Sequence, residues 1–141
     1  MNHQVARLNQ QSGVVLLEAL LAILVFSLGI LALVGLQATA VKQSTDAKYR
    51  SEAALLANDL IGQMWVSDRT AATLQANFGT GGASYATWLA RVSATLPGIA
   101  ANPPTVNVDA NGIATIQIFW VAPNEPAGAS PHNLLTIAQI R

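Results

Sequence analysis

Glu18 is the residue in this chain whose charge is most expensive to place. It is the sole ionisable side chain in residues 14–36, VVLLEALLAILVFSLGILALVGL. A carboxylate near the middle of a lipid-spanning helix costs about 2.5–3.5 kcal/mol, less near an end, and such residues are as a rule paired and functional. Glu18 lies one helical turn into the run, and the chain places nothing to pair with it inside a bilayer. Its partner is therefore the interface or another molecule. Other chemistry-bearing residues form no set. His3 is near the N-terminus, and His132 stands alone between Pro131 and Asn133, where a single histidine reads as solvated. Asp59 and Asp68 fall on or near the end of a helix, and Asp109 and Glu125 fall in loops. No nucleophile, base and orienting group are brought together by spacing, so no catalytic residue, metal ligand set or cofactor is expected. Residues 109–112, DANG, begin like a calcium loop but lack the later ligands and read as a turn. Residues 77–84, NFGTGGAS, lack the Lys-Ser/Thr that completes a phosphate loop and read as a flexible connection.

The composition narrows the class. The chain has 141 residues, about one domain's length, with 52% hydrophobic and 10% charged residues. Soluble domains carry roughly 25% charged residues. Seven basic residues balance seven acidic ones, for a net charge of +0, which argues against nucleic-acid binding. The low charge and a mean hydropathy of +0.40 argue against disorder. With 0 cysteines, a disulfide scaffold, a thiolate zinc site and a cysteine nucleophile are excluded.

The elements that must position Glu18 follow from the hydropathy pattern. Residues 14–36 supply the roughly 20 apolar residues of a membrane-spanning helix, too many for the apolar region of a cleaved secretory signal. There is no proline before Pro97, so one helix is expected over 14–66, roughly 80 Å at 1.5 Å per residue. Its second half is amphipathic. Tyr49, Ala53, Leu56, Leu60 and Met64 recur at spacings of three and four and form an apolar stripe. The opposite face is expected to carry the pairs Asp46–Arg50 and Lys48–Glu52, solvated. Ser84 is expected to cap a short helix with Tyr85, Trp88, Leu89, Val92 and Leu96 on its apolar face, ended by Pro97-Gly98. Strands are expected over 105–108, 113–121 and 133–140, the second with Ile116, Ile118 and Trp120 on one face. An antiparallel sheet of these three covers the helix stripe. The fold class is α+β.

Gly13-Val14-Val15-Leu16-Leu17-Glu18, after a short polar leader, resembles the class III signal of type IV pilins. The resemblance extends to Glu18-Ala-Leu-Leu-Ala, Gly29, Gly35-Leu36-Gln37, Leu55-Leu56-Ala57-Asn58-Asp59-Leu60 and Leu96-Pro97-Gly98 before a strand ending near Phe119-Trp120. These look like the PilV family of type IV pilus modification proteins, which are minor pilins. The resemblance implies a pilin fold with a leader over 1–13, a long helix over 14–66 that is transmembrane over 14–36, and a headpiece over 67–141 completed by helix residues 42–66. It implies cleavage by a prepilin peptidase between Gly13 and Val14, N-methylation of Val14, and Glu18 as the docking charge for a neighbour's terminal amine. Partners would be the peptidase, the inner membrane, other minor pilins and the major pilin. The protein would pass once through a Gram-negative inner membrane, present a periplasmic headpiece, and enter an extracellular pilus near its tip. Val14-Val15 replaces the Phe or Met followed by Thr that opens many mature pilins. Gly35 stands where major pilins carry a kinking proline.

Three other readings compete. A minor pseudopilin of a type II secretion system, of the GspI type, shares the leader and the long helix. Gly29, Gly35 and the Leu-Pro-Gly segment favour the pilin. A membrane-anchored enzyme lacks a catalytic set. A signal-anchored binding domain explains the apolar run but not a glutamate five residues after Gly13.

Overall fold

A computed structural model of the protein describes residues 11–126 and 128–140. Residues 1–10 of the expected leader, His3 and Arg7 among them, lie outside the described residues. The chain is α+β, with a long N-terminal apolar helix followed by two short helices and a small antiparallel sheet, the architecture expected of a pilin. The helices are α1 (Gln11–Trp65), α2 (Ala71–Phe78) and α3 (Ala83–Thr95), and the strands are β1 (Thr105–Val108), β2 (Ile113–Trp120) and β3 (His132–Gln139). Two compact units are present, Met1–Val41 and Lys42–Arg141.

In the first unit, helix α1 runs through Gly29 and Gly35 without a break. Leucine, alanine and isoleucine dominate this stretch, and each glycine costs only about 1 kcal/mol relative to alanine. Every residue from Gly13 to Val41 is exposed. The helix is long and apolar enough to cross a membrane. It is already helical at Gln11, the first described residue, so Gly13 and Val14 are both within the helix.

In the second unit, the core gathers Ala53, Ala57, Leu60 and Met64 of α1, Leu74 and Phe78 of α2, Tyr85, Trp88 and Val92 of α3, and the inner face of the sheet. Strands β1 and β2 alternate strictly, with every second residue buried. That period of two is how a strand half-covered by a core reads in sequence. Both strand pairs are antiparallel, in the order β1-β2-β3, with Val106 opposite Ile116 and Trp120 opposite His132. The turn between β1 and β2 is held by Asp109 Oδ1, which accepts from the N–H groups of Asn111 and Ile113 at 2.9 and 2.8 Å. Strand β2 stops at Trp120 because the N–H of Val121 donates instead to Pro97 O. Gly98 makes that approach possible. Its φ is +82°, and a Cβ there would crowd Val121 at 3.1 Å.

Several expectations are corrected. Helix α2 was not foreseen. Residues 77–84 are no loose tether: Thr80 N–H donates to Val106 O at 2.9 Å, and Val106 N–H donates to Thr80 Oγ1 at 2.9 Å. Gln75 Oε1 accepts from Val108 N–H at 2.6 Å. Together they cover the outer edge of β1. Ser84 is not the cap; α3 starts two residues earlier than expected, at Ala83 after Gly82, with no side-chain cap. Gly82 is pressed so closely against the Asn77 carbonyl that a side chain there would collide with it, and this fixes where the helix starts.

Candidate functional site

Two groups of residues stand out, one in each unit. In the first, Glu18 follows Val14 by four residues, so both lie on the same side of α1, about 6 Å apart along the axis. Gly13, Val14 and Glu18 are all exposed, and open space surrounds the Gly13 Cα. Among the described residues, none of the hydrogen bonds or ion pairs involves Glu18. A carboxylate thus stands on an apolar helical surface with no counter-charge supplied by the described residues.

In the second unit, the residues singled out for helix–sheet packing divide by depth. Leu60, Met64, Ile116, Ile118 and Trp120 are buried, while Tyr49 and Leu56 pack at the margin of the same cluster. Ala57, which the stripe omitted, is buried in the place given to Leu56. Trp88 explains part of this, since its indole N–H donates to Leu56 O at 2.9 Å and seats α3 against α1. Arg91 of α3 reaches Asp59 of α1 at 2.8 Å, so Asp59 is an anchor between helices.

The same unit contains a constellation that sequence reasoning did not assemble. His132 is the first residue of β3 and pairs with Trp120, so both side chains share the inner face. Their rings stack, with centroids 5.7 Å apart and planes 16° apart. His132 Nε2 donates to Glu125 Oε1 at 2.8 Å and lies 3.9 Å from Asp46 Oδ1. His132 is therefore not the solitary solvated residue expected. Asp46 is not on the outer face of α1 either. It precedes Ala53 by seven residues and Leu60 by fourteen, and seven residues are nearly two full turns, so it extends the buried stripe. Of the two expected i, i+4 pairs, Lys48–Glu52 forms at 3.7 Å, and Asp46 turns to His132.

The electrostatics of the group are asymmetric. The Glu125 carboxyl is held below its usual range, chiefly by the hydrogen bond from His132, against an opposing contribution from burial; the charges of His132 and Lys42 act in the same lowering direction. Glu125 Oε2 and Asp46 Oδ1 are sealed from solvent and accept no hydrogen bond. Neither periodicity nor motif reports this cluster, because residues 46, 125 and 132 belong to a helix, a loop and a strand. The one signal available was the seven-residue spacing of Asp46 from Ala53.

Comparisons with family models, curated proteins and solved structures return no match.

Proposed function

We propose that this protein is a minor type IV pilin of the PilV kind. It would be a structural subunit, without enzymatic activity, that enters or helps to start a pilus near its tip after prepilin peptidase removes residues 1–13. The observation that carries this reading is Glu18, five residues after Gly13, as the one ionisable residue in an apolar run. A plain membrane anchor has no use for that charge. A filament does: a carboxylate and the newly made terminal amine of another subunit, meeting among packed apolar helices, each relieve the other's desolvation.

The helix geometry supports the assignment of roles. The Gly13–Val14 bond lies in a helical turn of α1, which the glycine weakens by about 1 kcal/mol relative to alanine. A peptidase working at the membrane surface would open that turn at little cost. After the cut, Val14 would carry the amine to be methylated and Glu18 would sit one turn away. Partners would be the peptidase, other minor pilins, the major pilin and the inner membrane. A pseudopilin of the GspI type is the alternative, sharing the leader and α1, and genes for pilus or secretion components beside this one would distinguish them.

The test is the mass of the mature N-terminus after co-expression with a prepilin peptidase. The expected product begins at Val14 and carries one methyl group. A chain that keeps Met1, or is cut after Ala40, would overturn the reading.

A further inference from the structure

We infer that Asp46, Glu125 and His132 form a binding site for one divalent cation of the zinc class. Their ligand atoms, one from each residue, lie within 4.8 Å of one another, the one such group of three among the described residues. Tetrahedral zinc binds imidazole nitrogen and carboxylate oxygen at about 2.0–2.2 Å, which sets two donors on one ion about 3.4 Å apart. His132 Nε2 is already 2.8 Å from Glu125 Oε1 and 3.9 Å from Asp46 Oδ1. Side-chain movements that part Nε2 from Glu125 Oε1 and draw Asp46 inward close the set around an ion.

Burial points the same way. The Glu125 side chain is only 7% exposed, yet its Oε2 accepts nothing, and the same is true of Asp46 Oδ1. Buried carboxylate oxygens without donors are costly, and a cation satisfies both at once. The charge balance agrees, since two carboxylates face one imidazole. Lys42 also acts on Glu125, from an exposed position. The donor chemistry selects the metal: one nitrogen with two carboxylates suits zinc and its first-row neighbours, whereas calcium and magnesium take oxygen donors. On binding, the ion replaces the proton on Nε2, and the neutral ring keeps its one proton on Nδ1. Stacking on Trp120 and pairing in the sheet hold the ring in place for this. The ion would fasten the loop between β2 and β3 to α1. This inference is independent of the pilin reading.

The test uses the full-length chain in detergent, purified without a histidine tag and stripped with a chelator. Zinc is added, excess is removed by gel filtration, and metal content and melting temperature are measured for the wild type, His132→Gln and Asp46→Asn. The expected result is one zinc per wild-type chain and a melting temperature that rises with zinc concentration. Both variants should bind at least about 10- to 100-fold more weakly, the loss that follows when even a partner behind a ligand is removed. Gln can keep the hydrogen bond to Glu125 without ligating well, so a simple His–Glu clasp predicts no zinc effect in either chain. A wild type that retains no zinc overturns the site, and this holds even if a variant fails to fold. Equal zinc retention by folded variants overturns it too.

Discussion

Trp88 Nε1 donates to the main-chain oxygen of Leu56 at 2.9 Å, across the junction of α3 and α1. Trp88 is fully buried, and that oxygen lies in the interior of a helix, where it also accepts from the residue four further on. The bond therefore orients Trp88 more than it rescues a stranded carbonyl. Trp88→Phe should cost about 0.5–1.5 kcal/mol for the lost bond, plus a smaller term for volume. Trp88→Ala should cost about 3–5 kcal/mol through the cavity. For a domain of this size, 1 kcal/mol is roughly 4–8 °C in Tm. Thermal melts of the two variants check the ranking, and equal losses would show that the hydrogen bond, not the packed volume, dominates.

The unit Lys42–Arg141 should fold without the preceding apolar stretch, because its core is complete within it. Leu60 has no solvent exposure. Burying a leucine contributes roughly 1.5–3 kcal/mol, and an unpaired carboxylate in its place adds a larger desolvation cost. A fragment starting at Lys42 should melt cooperatively, and the same fragment with Leu60→Asp should show no transition. An unchanged melt in the variant would mean that α1 presents another face to the core.

Acid should weaken the tie between the β2–β3 loop and α1. The folded-state pKa of Glu125 lies below its ordinary value of 4.5, so the unfolded chain takes up its proton first as pH falls. The stabilisation is complete above pH 4.5 and is lost as pH drops through the folded value. Glu125→Gln removes this proton uptake. With a chelator present, Tm of the wild type should therefore fall more steeply than that of Glu125→Gln below pH 4.5. Parallel acid limbs would show that His132 does not hold the carboxylate ionised.

Most of the sheet was legible because its signals are local. Ile116, Ile118 and Trp120 alternate with less buried residues, and Asp109 to Gly112 spells a turn. Helix α1 announced itself by length and by the absence of proline. Helix α2 did not, because eight residues with two buried positions, Leu74 and Phe78, are too few to show a period. The cluster at His132 was illegible for a different reason. Its members meet only through the register that sets His132 opposite Trp120 and through the turn count that brings Asp46 round to the core. Such contacts belong to tertiary structure and leave no mark in any one window of sequence. Glu18 was legible because its cost is local: the residues around it are all apolar.

Cleavage should depend on Gly13 through the peptidase rather than through folding. A Cβ at Gly13 would meet nothing within 4 Å, and alanine favours the helix. Gly13→Ala should therefore leave expression, membrane insertion and the headpiece melt unchanged. The precursor should nevertheless keep its leader when the peptidase is co-expressed. Mass spectrometry of the membrane fraction reads the outcome, and normal processing of Gly13→Ala would remove glycine from the recognition signal.

Glu18 should matter for assembly and for nothing that precedes it. Among the described residues, the headpiece core starts at Ala53 with Tyr49 at its margin, far along the chain from Glu18, so Glu18→Ala should leave the headpiece melt unchanged. Insertion should be no worse, since the substitution removes a charge from an apolar segment. Processing should survive, because Gly13 and the leader are intact. On the proposed docking, the variant would lose the attraction between its carboxylate and the terminal amine of another subunit. That attraction is strong only where water is excluded, in the packed helices of a filament, and so its loss appears only there. Glu18→Gln sharpens the point, because it keeps the size and polarity and removes only the charge. Both variants should be cleaved and membrane-resident, and both should be depleted from sheared pili by about tenfold or more, the factor that 1.4 kcal/mol gives at equilibrium. The measurement is the amount of this protein in sheared pili against matched membrane levels. Incorporation of Glu18→Gln at the wild-type level would mean that the side chain serves as a polar contact and not as a charge, and docking to a terminal amine would have to be abandoned.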